Sequence, residues 1–468
     1  MLNKNTKIVC TIGPASQDPK TLERMVKAGM NVVRLNFSHG SYSDFETIIK
    51  RIRAISKKLK TPIAIMQDLQ GPKIRVGEMP KNGVPLKKDA TIILTTARVL
   101  GTTEKIPVQY QNLPNDVHKN DHILIDDGLI ELKVTQVKGK EIFCRVINGG
   151  TVFNHKGINV PTASISANPI TIKDKQDLIF GLSQDVDYVA LSFVKTAKNI
   201  TELRELIRKH KGQAKIIAKI EKHEAVKNLE SIMAETDGVM VARGDLGVEI
   251  PAEQVPLIQK RIIHMANLHG KPVITATQIL QSMVENPRAT RAEINDAANA
   301  VFDHSDALML SNESATGKYP VEATHTLAKV AGSVEHYLKS HKEFLQNKLF
   351  YDNLPISYAT CLHGTKLALD IGATLIVAIT NSGFTAEHIA KHRSYIPVIA
   401  FTEDPKVQQQ LALVWGINHA VVTKIHPEYA PEEVRKVLLK NKLAKRGNKI
   451  VIISNASKEE KLISTITI

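Results

Sequence analysis

The chain has 468 residues, 43% apolar and 23% charged, a balance that fits a globular protein of several domains. Its formal net charge is +15, but the basic runs at Lys50–Lys60 and Lys436–Lys449 lack interleaved aromatics, so they read as solvated faces and no nucleic-acid partner is expected. No apolar run approaches the roughly 20 residues of a membrane span, MLNKNTKIVCTIG has no signal-peptide core, and Cys10, Cys144 and Cys361 lie too far apart for a metal or disulfide pattern; a cytoplasmic protein with no membrane partner is expected.

The first predicted strand is KIVCTIG, from Lys7. A helix follows over SQDPKTLERMVKAG, with Ser16 as its expected N-cap and Gly29 as its stop. NVVRLNF (from Asn31) and PIAIMQD (from Pro62) are the second and third strands. From about Pro72 to Ala167 the pattern then changes to period two, with HILIDDGLIELKV and EIFCRVINGG broken by the turn signals Asn82–Gly83, Asp126–Gly128 and Asn148–Gly150. That stretch reads as a small all-β domain inserted into a strand-to-helix loop, placed to act as a lid.

Strand–helix alternation resumes with DYVALSF (Asp187), KIIAKIE (Lys215), GVMVA (Gly238), PVITATQ (Pro272) and DALMLSN (Asp306). NITELRELIRKHKG, between the first two of these, is a helix closing on Gly212. Eight near-continuous apolar strands imply a (β/α)₈ barrel, with a doubly wound open sheet as the alternative on periodicity alone. After about Ser340 a further α/β segment begins, with strands at Thr374, Ile396, Asn418, Lys449 and near Ile463. The expected division is 1–71 and 168–343 for the barrel, 72–167 for the insertion and 344–468 for a C-terminal α/β regulatory domain.

Polar residues gather where the barrel strands end, which is where barrel enzymes work. The second strand ends in Arg34, Asn36, Ser38 and His39, the third in Asp68, and the seventh in Thr275 and Thr277. The fifth ends in Lys219 and Glu221, and the sixth in Gly244 and Asp245. Alternation puts Lys219 and Glu221 on one face. A cation beside two carboxylates suits an anionic substrate shared between an ammonium and a divalent metal.

The motifs NVVRLNFSHG, GPKIRVG, AKIEKHEAV, MVARGDLGVEIP, VITATQIL, NPRATRAEINDAANAV and MLSNESATGKYP resemble, in order and spacing, those of pyruvate kinases. The resemblance covers nearly the whole chain. It implies transfer of a phosphoryl group from phosphoenolpyruvate to ADP, giving pyruvate and ATP. It assigns Glu221 and Asp245 to Mg²⁺ or Mn²⁺, Lys219 and Arg34 to the transferring phosphoryl group, and Gly244, Asp245 and Thr277 to the substrate, with Thr277 as a candidate proton relay. Asn36, Phe37, Ser38 and His39 would border the nucleotide, and Arg75 and Lys156 would reach its phosphates. A homotetramer is implied as well, and Arg243 is a candidate for a subunit contact.

The chain departs from the common family pattern at DLQGPKIRVG, where Lys73 stands in place of a Glu. In K⁺-using members the ion sits among the equivalents of Asn36, Ser38, Asp68 and the Leu69 carbonyl. Lys73 is therefore expected to supply that charge itself, as in a K⁺-independent branch; an exposed surface lysine is the plain alternative. SNESATG, with Asn312 and Ser314, replaces SGETATG. Thr380, Asn381, Ser382, Gly383 and Thr385 lie at a strand-to-helix turn that suits an effector phosphate. Phe384 stands there in place of a basic residue and the C-terminus lacks a Gly-rich loop, so a sugar monophosphate or AMP is expected rather than a bisphosphate, with an unused remnant as the alternative. Two other readings are a metal-dependent carbon–carbon lyase on pyruvate-like acids and a non-catalytic metabolite sensor.

Overall fold

The computed structural model describes residues 4–341, 354–426, 429–455 and 461–468. Eight parallel strands pair in chain order and close first onto last: Lys7–Thr11, Val32–Asn36, Ala64–Asp68, Tyr188–Leu191, Lys215–Ile220, Gly238–Ala242, Val273–Ala276 and Ala307–Leu310. Closure is set by the register Lys7↔Ala307 through Cys10↔Leu310. The strands are apolar on both faces because one face fills the barrel and the other meets the helices. Val9, Ile217, Met240 and Ile274 lie inside, and Ile8, Val33, Ile216 and Val241 pack outward. The open-sheet alternative is thereby excluded.

The helices start where local chemistry permits. Pro19 occupies the first turn of Pro19–Ala28, and Asp18 before it is extended and accepts the Thr21 N–H at 3.0 Å. Ser16 was the expected cap; its hydroxyl instead accepts from Gly13 N at 3.2 Å. A proline favours an extended residue before it and suits the first helical position, which makes Asp18 the cap. Gly29 ends this helix with φ 121°, a conformation costly for any other residue.

Between the third and fourth barrel strands lies a six-stranded sheet built from Thr91–Thr95, Lys105–Pro107, His122–Ile125, Ile130–Lys138, Glu141–Asn148 and Ile158–Asn159. A two-stranded ribbon, Val84–Leu86 with Gly150–Val152, accompanies it. The Asp126–Asp127–Gly128 turn takes positive φ at all three residues, as its Asp and Gly composition allows. This insertion has its own core around Ile92, Leu132, Cys144 and Val146.

The C-terminal sheet runs in the order Ile417–Val422, Val398–Thr402, Leu375–Ile379, Lys449–Asn455, Lys461–Thr467, with the last strand antiparallel. This unit docks on the barrel end where the strands begin. Leu413 is fully buried within the cluster that fills the barrel interior. Lys7 Nζ donates to Ile417 O at 2.8 Å, Tyr188 Oη to Gln410 O at 2.6 Å, and Lys406 pairs with Asp187 at 3.1 Å. The opposite end, where the strands finish, is left for chemistry. Among the described residues no helix is long and apolar enough to cross a membrane.

Leu413 acts as a plug. Leu413→Ala is expected to cost about 3 kcal/mol, the usual penalty for a cavity in a rigid core. A thermal melt checks this, and an unchanged midpoint would show that the barrel end closes without it.

Candidate active site

Arg34 lies on the second barrel strand and Asp68 ends the third; their strands pair with Asn36 opposite Asp68. The Asp68 carboxylate accepts from Arg34 Nε at 2.7 Å and lies 2.6 Å from Nη2, a two-pronged contact that fixes the guanidinium plane. Arg34 Nη1 donates to Thr11 Oγ1 at 2.9 Å. On its other side Asp68 Oδ1 is 3.4 Å from Lys219 Nζ. That ammonium is 2.7 Å from Glu221 Oε1 and donates to Ser192 Oγ at 2.7 Å. Lys219 and Glu221 therefore share a face, as the alternation of the fifth strand requires.

These charges are shielded from water. Asp68 and Glu221 are each 1% exposed and Lys219 is 9% exposed. Burial opposes ionisation of Asp68, but Lys219 and Arg34 outweigh it and hold its pKa below the ordinary carboxylate value. Burial also works against the Lys219 ammonium, yet Asp68 and Glu221 raise its pKa, so it stays charged at neutral pH. Glu221 moves the other way: burial raises its pKa against the pull of Lys219, and the neighbouring Asp245 carboxylate adds to the rise. A buried carboxylate with a second, half-buried one beside it is a donor set that suits a divalent cation.

Asp245 sits in the first turn of the helix Arg243–Glu249, just past the sixth strand rather than on it. Gly244 N donates to Thr277 Oγ1 at 2.8 Å, and that hydroxyl donates to Ala276 O at 2.6 Å. Thr277 has φ 71°, unusual for a β-branched residue. Arg243 steadies it, donating to Thr277 O at 2.8 Å while pairing with Asp296 at 2.7 Å. The guanidinium is thus engaged within its own chain.

A cleft of about 140 Å³ is lined by Arg34, Asn36, Ser38, His39, Asp68, Leu69, Lys73, Arg75, Lys219, Glu221 and Asp245. Lys73 faces the same space as Asn36, Ser38, Asp68 and Leu69, and Arg75 reaches it from the insertion. Two expected nucleotide residues are placed differently. The Phe37 ring is buried and stacks on Phe45 at 4.1 Å, so only its backbone is near the mouth. Lys156 pairs with Asp126 at 2.8 Å and does not line the cleft. In the C-terminal unit Gly383 N donates to Thr380 Oγ1 at 3.0 Å, and Thr385 is fully buried.

Three contributors were missed from sequence. Thr11 and Ser192 follow the same rule as the others, since each is a polar residue at or just past the end of an apolar strand. Ser192 Oγ donates to Leu69 O at 2.8 Å, which joins the Asp68 loop to Lys219. Phe193 contributes through its backbone N–H, which donates to Glu221 Oε2 at 2.8 Å and carries no side-chain signal. Ser314, fully buried, donates to Thr11 O at 2.9 Å and so supports the residue that orients Arg34.

Asp68 joins the two cations of the site. Asp68→Asn leaves Arg34 and Lys219 facing a neutral amide and is expected to destabilise the chain by about 3–5 kcal/mol, as removal of one partner from a buried pair does. Denaturant unfolding measures it; a loss of less than ~1 kcal/mol would place the pair in the solvated class.

The family model described as pyruvate kinase, barrel domain, matches residues 3–324, and that for the pyruvate kinase alpha/beta domain matches residues 358–468. A pyruvate kinase of Geobacillus stearothermophilus is 46% identical over 419 residues, covering 89% of this chain and 71% of the relative. That of Bacillus licheniformis is 43% identical over 462 residues, covering 97% and 78%. The crystal structure of a pyruvate kinase from Cryptosporidium parvum matches with a TM-score of 0.92 and 34% identity, over 99% of this chain and 96% of that one.

Proposed function

The chain belongs to the pyruvate kinase family, and from that premise we propose how its own residues transfer the phosphoryl group of phosphoenolpyruvate to ADP, giving pyruvate and ATP. The observation that carries the assignment of roles is the buried chain Arg34–Asp68–Lys219–Glu221 at the barrel mouth, with Asp245 beside it. Glu221 and Asp245 are the residues that would hold Mg²⁺ or Mn²⁺. Such an ion supplies positive charge to the phosphoryl oxygens and to the developing enolate.

Lys219 and Arg34 act on the transferring phosphoryl group. Both are held by carboxylates in advance, so little reorganisation is needed when negative charge spreads over its oxygens. Lys219 serves as a cation and not as a base, because its pKa is raised. The Gly244 amide and Thr277 hydroxyl, now bonded to each other, would turn to the carboxylate of the organic acid. Thr277 is the proposed relay of a proton to the enolate through water. The nucleotide is bordered by Asn36, Ser38, His39 and the Phe37 backbone, with Arg75 meeting its phosphates from the insertion (residues 72–167) and Lys156 joining it only on leaving Asp126. That insertion excludes water that would otherwise take the phosphoryl group.

Lys73 is proposed to replace the monovalent cation. It lines the cleft together with Asn36, Ser38, Asp68 and Leu69, so its ammonium can serve the same charge. The turn at Thr380, Asn381, Ser382, Gly383 and Thr385, in the unit from about residue 344 onward, is proposed to take the phosphate of a sugar monophosphate or AMP. Turnover that neither compound alters would remove that assignment. A cytoplasmic homotetramer is proposed from the family resemblance, and sedimentation of the purified chain tests the assembly.

The direct test is pyruvate formation from phosphoenolpyruvate and ADP with Mg²⁺, run with K⁺ and again with only a bulky organic cation. Equal turnover is expected, and Lys73→Glu is expected to make turnover depend on K⁺. Full activity of that variant without K⁺ would remove the role given to Lys73. Pyruvate release without ADP would favour the lyase reading. Lys219→Met should lower phosphoryl transfer by roughly 10³-fold or more, as loss of a transition-state cation does. Near-normal turnover of that variant would contradict the assignment.

A further inference from the structure

Lys222 follows Glu221 directly, and Glu249 stands one helical turn beyond Asp245 on the helix Arg243–Glu249. Each carboxylate assigned to the metal therefore has a charged near neighbour in the chain, and these two neighbours pair with each other. Lys222 Nζ lies 2.7 Å from Glu249 Oε1. The same oxygen accepts from Asn159 Nδ2 at 3.0 Å. Asn159 ends the strand Ile158–Asn159 of the inserted sheet. Lys222 is 5% exposed and Glu249 3%, so the junction is shielded from solvent.

His223 Nδ1 lies 3.2 Å from Glu224 and 3.5 Å from Glu249 Oε2. His223, Glu224 and Glu249 come close enough together to hold an ion. However, the Lys222 ammonium already neutralises Glu249 at a shorter distance, and a second cation would face it unscreened. The Lys222–Glu249 pair therefore ties this cluster to the junction. A nearby tie runs parallel to it: Lys195 Nζ donates to the backbone oxygens of Ile165 and, at 3.2 Å, Ala167. Both ties hold the returning segment of the insertion, residues 158–167, to the barrel mouth.

We infer that Glu249 is a positioning residue that couples the seat of the inserted sheet to the Asp245 carboxylate, through Asn159 on one side and its own short helix on the other. The helix is two turns long and anchored at its start by Arg243, so a displacement of Glu249 is transmitted to Asp245. Because Lys222 is adjacent to Glu221, the same junction also sets the separation of the two carboxylates. Metal affinity is sensitive to such outer contacts because they orient the ligands. The inference rests on the reading of Glu221 and Asp245 as metal ligands.

The test is Mn²⁺ titration of the substrate-free chain, followed by electron paramagnetic resonance, with hydrogen exchange of residues 158–167 measured alongside. Asn159→Ala uncovers no charge. It is expected to weaken Mn²⁺ binding about three- to tenfold, in line with lost outer-sphere contacts, and to speed exchange in that segment. Glu249→Gln leaves Lys222 unpaired and can unfold the chain, so Glu249→Gln with Lys222→Met serves as the second variant and should weaken Mn²⁺ at least as much. Adding Asn159→Ala to that pair should have no further effect. Unchanged Mn²⁺ affinity in Asn159→Ala and in the paired variant would overturn the coupling. A wild-type chain that binds no Mn²⁺ would overturn the metal assignment itself, and this inference with it.

Discussion

Asp68 is buried between two cations, and the arrangement of the mouth depends on it. Its carboxylate grips Arg34 from the neighbouring strand and lies 3.4 Å from Lys219, which is in turn paired with Glu221. A carboxylate removed from water is stable as an ion only if its partners repay the lost hydration, and here two do so. The pair cannot drift apart cheaply, so the phosphoryl-binding cations are set before substrate arrives. Arg34 and Lys219 face three carboxylates, counting Asp245. Burial raises the pKa of Glu221, and the Asp245 carboxylate adds to that rise.

The barrel separates stability from chemistry along its axis. At the end where strands begin, charged residues are spent on docking: Lys7 on Ile417 O, Lys406 on Asp187, and Arg393 on Asp306 at 3.2 Å. Leu413 seals the interior there. At the end where strands finish, the second to sixth strands release polar side chains into a common space, and the insertion stands over it. The same parallel register thus aligns the apolar interior and delivers Arg34, Asp68, Lys219 and Glu221 to one level. Ser192 and Thr11 then cross-link these residues, so the site is supported by side chains as well as by strand pairing.

Much of this was legible in the sequence because the signals were local and repeated. Eight apolar runs alternating with helical stretches are a barrel pattern, and all eight became barrel strands. The shift to period two after Pro72 likewise became a separate sheet with its own core. The Ser16 cap failed because Pro19 decides the start of its helix, a local rule that was available. Thr11 and Ser192 obey the strand-end rule, but what they contribute is hydrogen bonds with Arg34, Leu69 and Lys219 from other strands, which spacing does not show. The burial of Phe37 and the pairing of Lys156 with Asp126 depend on contacts between distant segments, which no spacing reveals. The Lys222–Glu249–Asn159 junction is of the same kind: three residues from three segments, each unremarkable alone.

The measurement that bears most directly on the buried charge cluster is Mn²⁺ binding to the substrate-free chain and to its Glu221→Gln variant, followed by electron paramagnetic resonance. If Glu221 and Asp245 hold the metal, the wild-type chain binds Mn²⁺ and the variant binds it about 100-fold more weakly or not at all, since a ligand and its charge are both lost. Equal affinity in the two chains would mean that the metal lies elsewhere and that the cluster is only structural.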